Sequence, residues 1–254
     1  MILGVNNKSD VMFEPNIPLL MDLITPDDLV LDVGGWVKPF NRADYVLDIQ
    51  PYETRGWLGN DGPSPECFTK ETWIVQDICG PEPLPFPDGM FDYVVCSHTL
   101  EDCRDPVILC SEINRIGKRG YIEVPSRRLE STMGVASKMY CGYSHHRWLV
   151  EINHDDISFV FKPHMMHEHW KYHLPARSLL SMNENDKISC MFWEGEFSFR
   201  EKTLIHPEDQ ARDLDDFVKA QDIYSPLKYK LAEFRDKARQ SFLGGLIARL
   251  WQWR

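Results

Sequence analysis

Five short apolar runs recur through the first half of the chain: "DLVLDV" (28–33), "DYVLDI" (44–49), "TWIVQDI" (72–78), "FDYVVCS" (91–97) and "GYIEVP" (120–125). Several are nearly continuous in Val, Ile, Leu and Tyr rather than alternating, the pattern of strands buried on both faces of a parallel sheet. Between the fourth and fifth lies "DPVILCSEINRIGKRG" (105–120), with Val107, Cys110, Ile113 and Ile116 at helical spacing and Gly117 and Gly120 as stops. Strands alternating with helices predict an α/β fold with a doubly wound, mostly parallel sheet and right-handed crossovers. Residues 51–70, rich in Pro, Gly and Asp, predict a long loop, and 80–92 is a proline-broken connection.

The texture changes after Arg128. "HRWLVEI", "NHDD" and "ISFVFKP" predict a β-hairpin over 146–163, and a His-rich segment over 164–182 predicts helix. "KISCMFWEGEFSFREKTLI" (187–205) reads as a further strand pair turning near Gly195. Residues 226–254 read as one amphipathic helix weakened at Gly244 and Gly245. The expected organisation is therefore a ligand-binding core over 1–128, a lid with closing strands over 129–205, and a helical extension over 206–254.

Composition narrows the function classes. The 254 residues carry a net charge of −11, which argues against broad contact with nucleic acid. Seven scattered cysteines without a C-x-x-C pair read as reduced thiols of an intracellular protein. "MILGVNNKSD" turns polar too quickly for a signal peptide, and no segment reaches the roughly 18 apolar residues of a membrane span. A cytoplasmic enzyme is the expectation.

In an open α/β sheet, ligands bind beyond the carboxyl ends of the strands. Asp32 ends the first run, Asp48 the second and Asp77 the third, while Ser97 and His98 follow the fourth. Asp48 suits a pair of ribose hydroxyls, and Asp77 an adenine amino group. Gly34 and Gly35 let the backbone approach a ligand, but "VLDVGGWVKPF" (30–40) lacks the G-x-G-x-x-G spacing that cradles a pyrophosphate. Asp32 beside that loop favours a cation. Adenine, ribose, positive charge and no phosphate together describe S-adenosylmethionine.

"VLDVGG", "YVLDI", "VQDIC", "LPFPDGMFDYVVCSHTLEDCRDP" and "EINRIGKRGYIEVPSR" resemble the successive motifs of class I S-adenosylmethionine-dependent methyltransferases, most nearly the type 11 kind, over about residues 20–128. The resemblance implies a Rossmann-like, seven-stranded sheet with one antiparallel strand. It implies cofactor contacts at Asp32, Gly34, Asp48, Asp77 and Ile78, to which the residues themselves add Gly35, Ile49 and Ser97. It puts His98 near the transferred methyl. Trp36 and Val37 stand where the family has a third glycine, and "KRGY" replaces its usual double glycine.

Seven of the nine histidines lie between His145 and His173. His98 or His146 would act as general base on a hydroxyl, with His145, Arg147 and Glu101 as acceptor-binding groups. His169 and His173, four apart, and His164 and His167, three apart, match no strong metal signature, so no metal is expected. Over 226–254, seven Lys or Arg stand against two acids around an apolar face. Such a helix suits docking on its own domain or a second copy, and equally an anionic membrane surface. The expected reaction is methyl transfer to a small-molecule or glycan acceptor, at oxygen. A nicotinamide-dependent oxidoreductase and a non-catalytic scaffold built on the same fold are the alternatives.

Overall fold

The structure, a computed structural model, describes residues 12–224, 229–231 and 234. The five apolar runs form β1 (Val30–Val33), β2 (Tyr45–Asp48), β3 (Trp73–Val75), β4 (Tyr93–Ser97) and β5 (Arg119–Pro125). They lie in the order β3-β2-β1-β4-β5, all parallel, and the order reverses between β1 and β4. β8 (Ile188–Glu194) closes the β5 edge in antiparallel register.

Burial on both faces follows from side-chain alternation along a strand. Leu31, Val33, Val94, Cys96, Ile122 and Val124 face one core, together with Leu109, Ile113 and Ile116 of α2 (Pro106–Ile116). Val30, Val46, Tyr93, Val95 and Tyr121 face the other, under Leu20 of α1 (Asn16–Leu23). α2 starts where its sequence says it should, since Asp105 accepts from the Ile108 N–H at 3.0 Å and Pro106 occupies the first turn.

The predicted hairpin is present as β6 (Trp148–Asn153) and β7 (Asp156–Phe161). The strand pair predicted over 187–205 requires correction. β8 joins the large sheet, whereas β9 (Ser198–Glu201) pairs in parallel with β7, making a separate three-stranded sheet. The large sheet thus has six strands among the described residues, not seven. The small sheet lies over the α2 side, where Trp148, Val150, Ile157 and Phe159 join the main core. Its other side holds Leu149 and Val160 against Met166 and Leu214, the latter from α4 (Pro207–Ala220).

The helix predicted over 164–182 is a run of short 3₁₀ turns, broken at the extended residues His169, His173 and Pro175. His169 caps the Trp170–Tyr172 turn and His173 closes it, so the two do not share a helical face. The helix predicted over 226–254 lies outside the described residues, apart from 229–231 and 234, which are helical. No helix among the described residues is long and apolar enough to cross a membrane.

Candidate functional site

A cavity of about 530 Å³ opens at the carboxyl edge of β1–β4, at the reversal of strand order. Asp32, Gly34, Asp48, Ile49, Asp77, Ile78 and Ser97 line it, as do His98, His145 and His146. Residues far apart in sequence are therefore gathered as the strand-end reading expects. The sequence analysis missed Lys38, Asp61, Trp57, Cys79 and Arg104 on the same wall. Trp57 and Asp61 sit in the Pro/Gly-rich stretch that had only a loop signal.

Gly34 is left-handed at φ +80°, and a Cβ there would stand 2.0 Å from Thr99 Oγ1. Only glycine lets the loop after β1 close on the loop after β4. Gly35 does not line the cavity. A Cβ on it would stand 2.1 Å from Asp32 Oδ2, so its role is to leave room for that carboxylate. Asp32 accepts from the Phe40 N–H at 2.9 Å. Its burial outweighs that bond and, with Asp48 and Asp61 adding repulsion, pushes its pKa up to about 7. Asp48 accepts from the Trp36 and Gln50 N–H groups at 3.1 and 2.8 Å, yet burial still raises its pKa.

Asp77 is exposed and accepts from the Cys79 N–H at 2.9 Å. Arg104 reaches it at 3.3 Å and also bonds the Cys79 carbonyl. Lys38 is paired with buried Asp61 at 2.6 Å. Both basic side chains on this wall are thus tied to carboxylates.

His98 follows the end of β4. It is a non-glycine residue at φ 51°, with its side chain 7% exposed between two buried acids. Nε2 is 2.8 Å from Glu123 Oε1, and Nδ1 is 3.6 Å from Glu101 Oε1. Burial alone would lower its pKa, but Glu101 and Glu123 outweigh it and hold the proton to about 10. This environment favours the charged imidazolium and a positioning role over the general-base role expected of His98. Glu123 continues the network to the Tyr121 hydroxyl and to the Phe13 N–H at 2.9 Å, and Asn16 reaches Tyr121 at 2.6 Å. The network ties α1 and its approach to the end of β4. Glu101 is buried behind His98 rather than lining the cavity, and Arg147 points its backbone N–H to the Glu101 carbonyl at 2.7 Å. Neither residue lines the cavity, where acceptor-binding groups were expected.

His146 lines the cavity with its side chain 3% exposed. Its Nδ1 is 2.9 Å from Glu130 Oε1, at the end of α3 (Arg127–Glu130). Burial opposes the charged imidazole, but Glu130 overrides it and raises the pKa. Glu130 also accepts from Lys162 at 2.5 Å and, for all its burial, is held below the usual carboxylate range by His146 and Lys162. As an ionised carboxylate it can only accept, so it fixes the proton on Nδ1 and frees Nε2.

Residues 47–122, from β2 into β5, match the family model described as a methyltransferase domain. Among solved structures, the chain is similar to one in a complex between the Haloferax volcanii Trm112 methyltransferase activator and a putative methyltransferase, at 21% identity and TM-score 0.31, covering 44% of this chain and 52% of that one. It is similar to a putative methyltransferase from Bacillus halodurans C-125 at 17% identity and TM-score 0.33, covering 44% and 52%. An S-adenosylmethionine-dependent methyltransferase from Mesorhizobium loti is 16% identical with TM-score 0.34, covering 58% and 63%. The chain thus spans less than two thirds of the length of each of these. No curated protein matches it.

Proposed function

We propose that this protein moves a methyl group from S-adenosylmethionine to a hydroxyl oxygen of a small-molecule or glycan acceptor; the match of residues 47–122 to a methyltransferase-domain model and the reversal of strand order between β1 and β4 support the reading. The observation that carries the reading is the single cavity shared by Asp32, Asp48 and Asp77 with His145 and His146. Its wall is acidic, and Lys38 and Arg104 are held by Asp61 and Asp77. Such a lining suits a sulfonium and an amino group, and repels the pyrophosphate of a dinucleotide. This is what disfavours the oxidoreductase alternative.

Asp48 would accept from the ribose hydroxyls and Asp77 from the adenine amino group, with Ile49 and Ile78 beside the ring. Asp32 and the Gly34 loop would hold the cationic methionine end. When bound, the cofactor supplies an electrophilic methyl on sulfur. The chain's own contribution is to hold the acceptor oxygen in line and exclude water. His146, oriented by Glu130, presents Nε2 to the acceptor side of the cavity. His98, held between Glu101 and Glu123, positions the loop after β4. Residues 129–205 act as the acceptor lid, tied to the core by the Arg147 and Trp148 N–H bonds to Glu101.

Two results test this reading. His146→Ala should lower tritiated-methyl transfer by roughly 10²-fold or more while affinity for S-adenosylhomocysteine stays within about twofold of wild type. A loss confined to cofactor binding would place His146 in the wrong role. The second concerns pH. Asp32 is raised in the fold, so its contribution to stability is present below its ordinary value of 3.8 and lost as pH rises through about 7. Pairing with a ligand cation needs the ionised form and reverses the sign. Affinity for S-adenosylhomocysteine should therefore rise about tenfold between pH 6 and pH 8, and Asp32→Asn should flatten the slope. A flat profile in the wild-type protein would remove Asp32 from the cofactor's cationic end.

A further inference from the structure

We propose that Asp102, His145 and His146 form a binding site for a first-row transition-metal dication at the rim of the cavity, where it holds the acceptor oxygen. One ligand atom from each of the three lies within 4.8 Å of the others, and His145 Nε2 is 4.0 Å from Asp102 Oδ2. The role given to the cation rests on the methyl-transfer reading; the site itself does not.

Asp102 and the adjacent pair His145 and His146 come from two distant segments, and the backbone clamps them together. Asp102 is flanked by Glu101 and Cys103, and both flanks are bonded to the residues that follow His146. The Glu101 carbonyl accepts from the Arg147 N–H at 2.7 Å and the Trp148 N–H at 3.2 Å. The Cys103 carbonyl accepts from the Trp148 indole N–H at 2.8 Å. Asp102 is thereby fixed opposite the two histidines.

A second observation points to a metal. Glu130 accepts from His146 Nδ1, which leaves Nε2 as the ring's ligand atom. A buried carboxylate behind an imidazole is the arrangement that orients metal-ligating histidines and raises their basicity. Tyr143 packs against the same ring with centroids 4.8 Å apart and holds its plane. The Asp102 and His145 side chains are 45% and 52% exposed. They can therefore rotate to close the ligand set around an ion with bonds of about 2.0–2.2 Å.

Two imidazoles and one carboxylate select zinc or cobalt over magnesium and manganese, which suit oxygen ligands. Three protein ligands leave a coordination position open toward the cavity. An acceptor hydroxyl there has a lowered pKa. Its O–H bond breaks and the proton passes to solvent. The O–C bond then forms as the C–S bond breaks, and sulfur keeps the electron pair.

The test uses the tag-free full chain, stripped with chelator and titrated separately with Zn²⁺ and Co²⁺ by calorimetry and visible absorption. One equivalent should bind. His145→Ala and Asp102→Asn, both of half-exposed side chains, should each weaken binding by at least about tenfold, with circular dichroism unchanged. His169→Ala, in the 3₁₀ segment, should bind as wild type. Absence of stoichiometric binding, or binding that follows His169 and ignores His145, overturns the site. The same samples are titrated with S-adenosylhomocysteine. Cofactor binding without metal binding rejects the metal site alone. Metal binding that follows His145 without cofactor binding upholds the site and rejects the methyl-transfer reading.

Discussion

Replacing Glu130 with Ala is expected to destabilise the protein by about 3–5 kcal/mol, the range for removing one partner of a buried charge pair. Glu130 is fully buried and serves three groups at once: His146 Nδ1 at 2.9 Å, Lys162 Nζ at 2.5 Å and the Tyr143 N–H at 3.4 Å. Its loss leaves the buried Lys162 ammonium, among the described residues, with the Tyr143 carbonyl at 2.8 Å. Gly142 shows how tightly the site is built, since a Cβ there would stand 2.4 Å from Glu130 Oε2. Chemical denaturation monitored by circular dichroism checks the size of the loss. The pH dependence has a definite sign. Because the folded pKa of Glu130 lies below its ordinary 4.5, its stabilisation is present above that value and lost as pH falls through the lower folded one. The wild-type and Glu130→Ala curves should converge in acid. A loss below about 1 kcal/mol, the level of exposed ion pairs, would mean that the cluster is not what holds the lid.

Asp48→Asn should weaken S-adenosylhomocysteine binding by roughly 10²-fold. A hydrogen bond to a charged group contributes about 1.5–3 kcal/mol, and a carboxylate at the end of β2 can take two from a ribose. Asn keeps the shape and one acceptor oxygen for the Trp36 or Gln50 N–H, so the fold should survive. Calorimetric titration of both proteins under the same conditions measures the ratio. Equal affinities would remove Asp48 from the cofactor site.

Much of the architecture was legible because its determinants are local. Continuous Val/Ile/Leu runs gave β1, β2, β4 and β5 with both faces buried, and Asp105-Pro106 followed by a 3.6-residue repeat gave α2. Acids at strand ends gave a shared rim, since parallel strands bring their carboxyl ends to one edge by construction. What the pattern missed is long-range. β8 and β9 flank Gly195 like a hairpin, but Gly195 N–H bonds to Lys118 and Ser198 N–H to Asp155, which draws the two strands into different sheets. The His-rich segment has helical spacing, yet its prolines and the cap from His169 limit it to single turns. Nothing local to His98 announced Glu123, the one acid of β5, 25 positions away. Glu130 carried no signal beyond being charged, and its partners lie 16 and 32 residues along the chain.

The most direct measurement is a crystal structure of the full chain with S-adenosylhomocysteine. Density for the ligand should fill the cavity at the carboxyl edge of β1–β4, with the ribose hydroxyls on Asp48, the adenine between Ile49 and Ile78, and the amino group toward Asp32. Ligand bound elsewhere, or a ribose that leaves Asp48 untouched, would contradict the assignment of this cavity to the methyl donor.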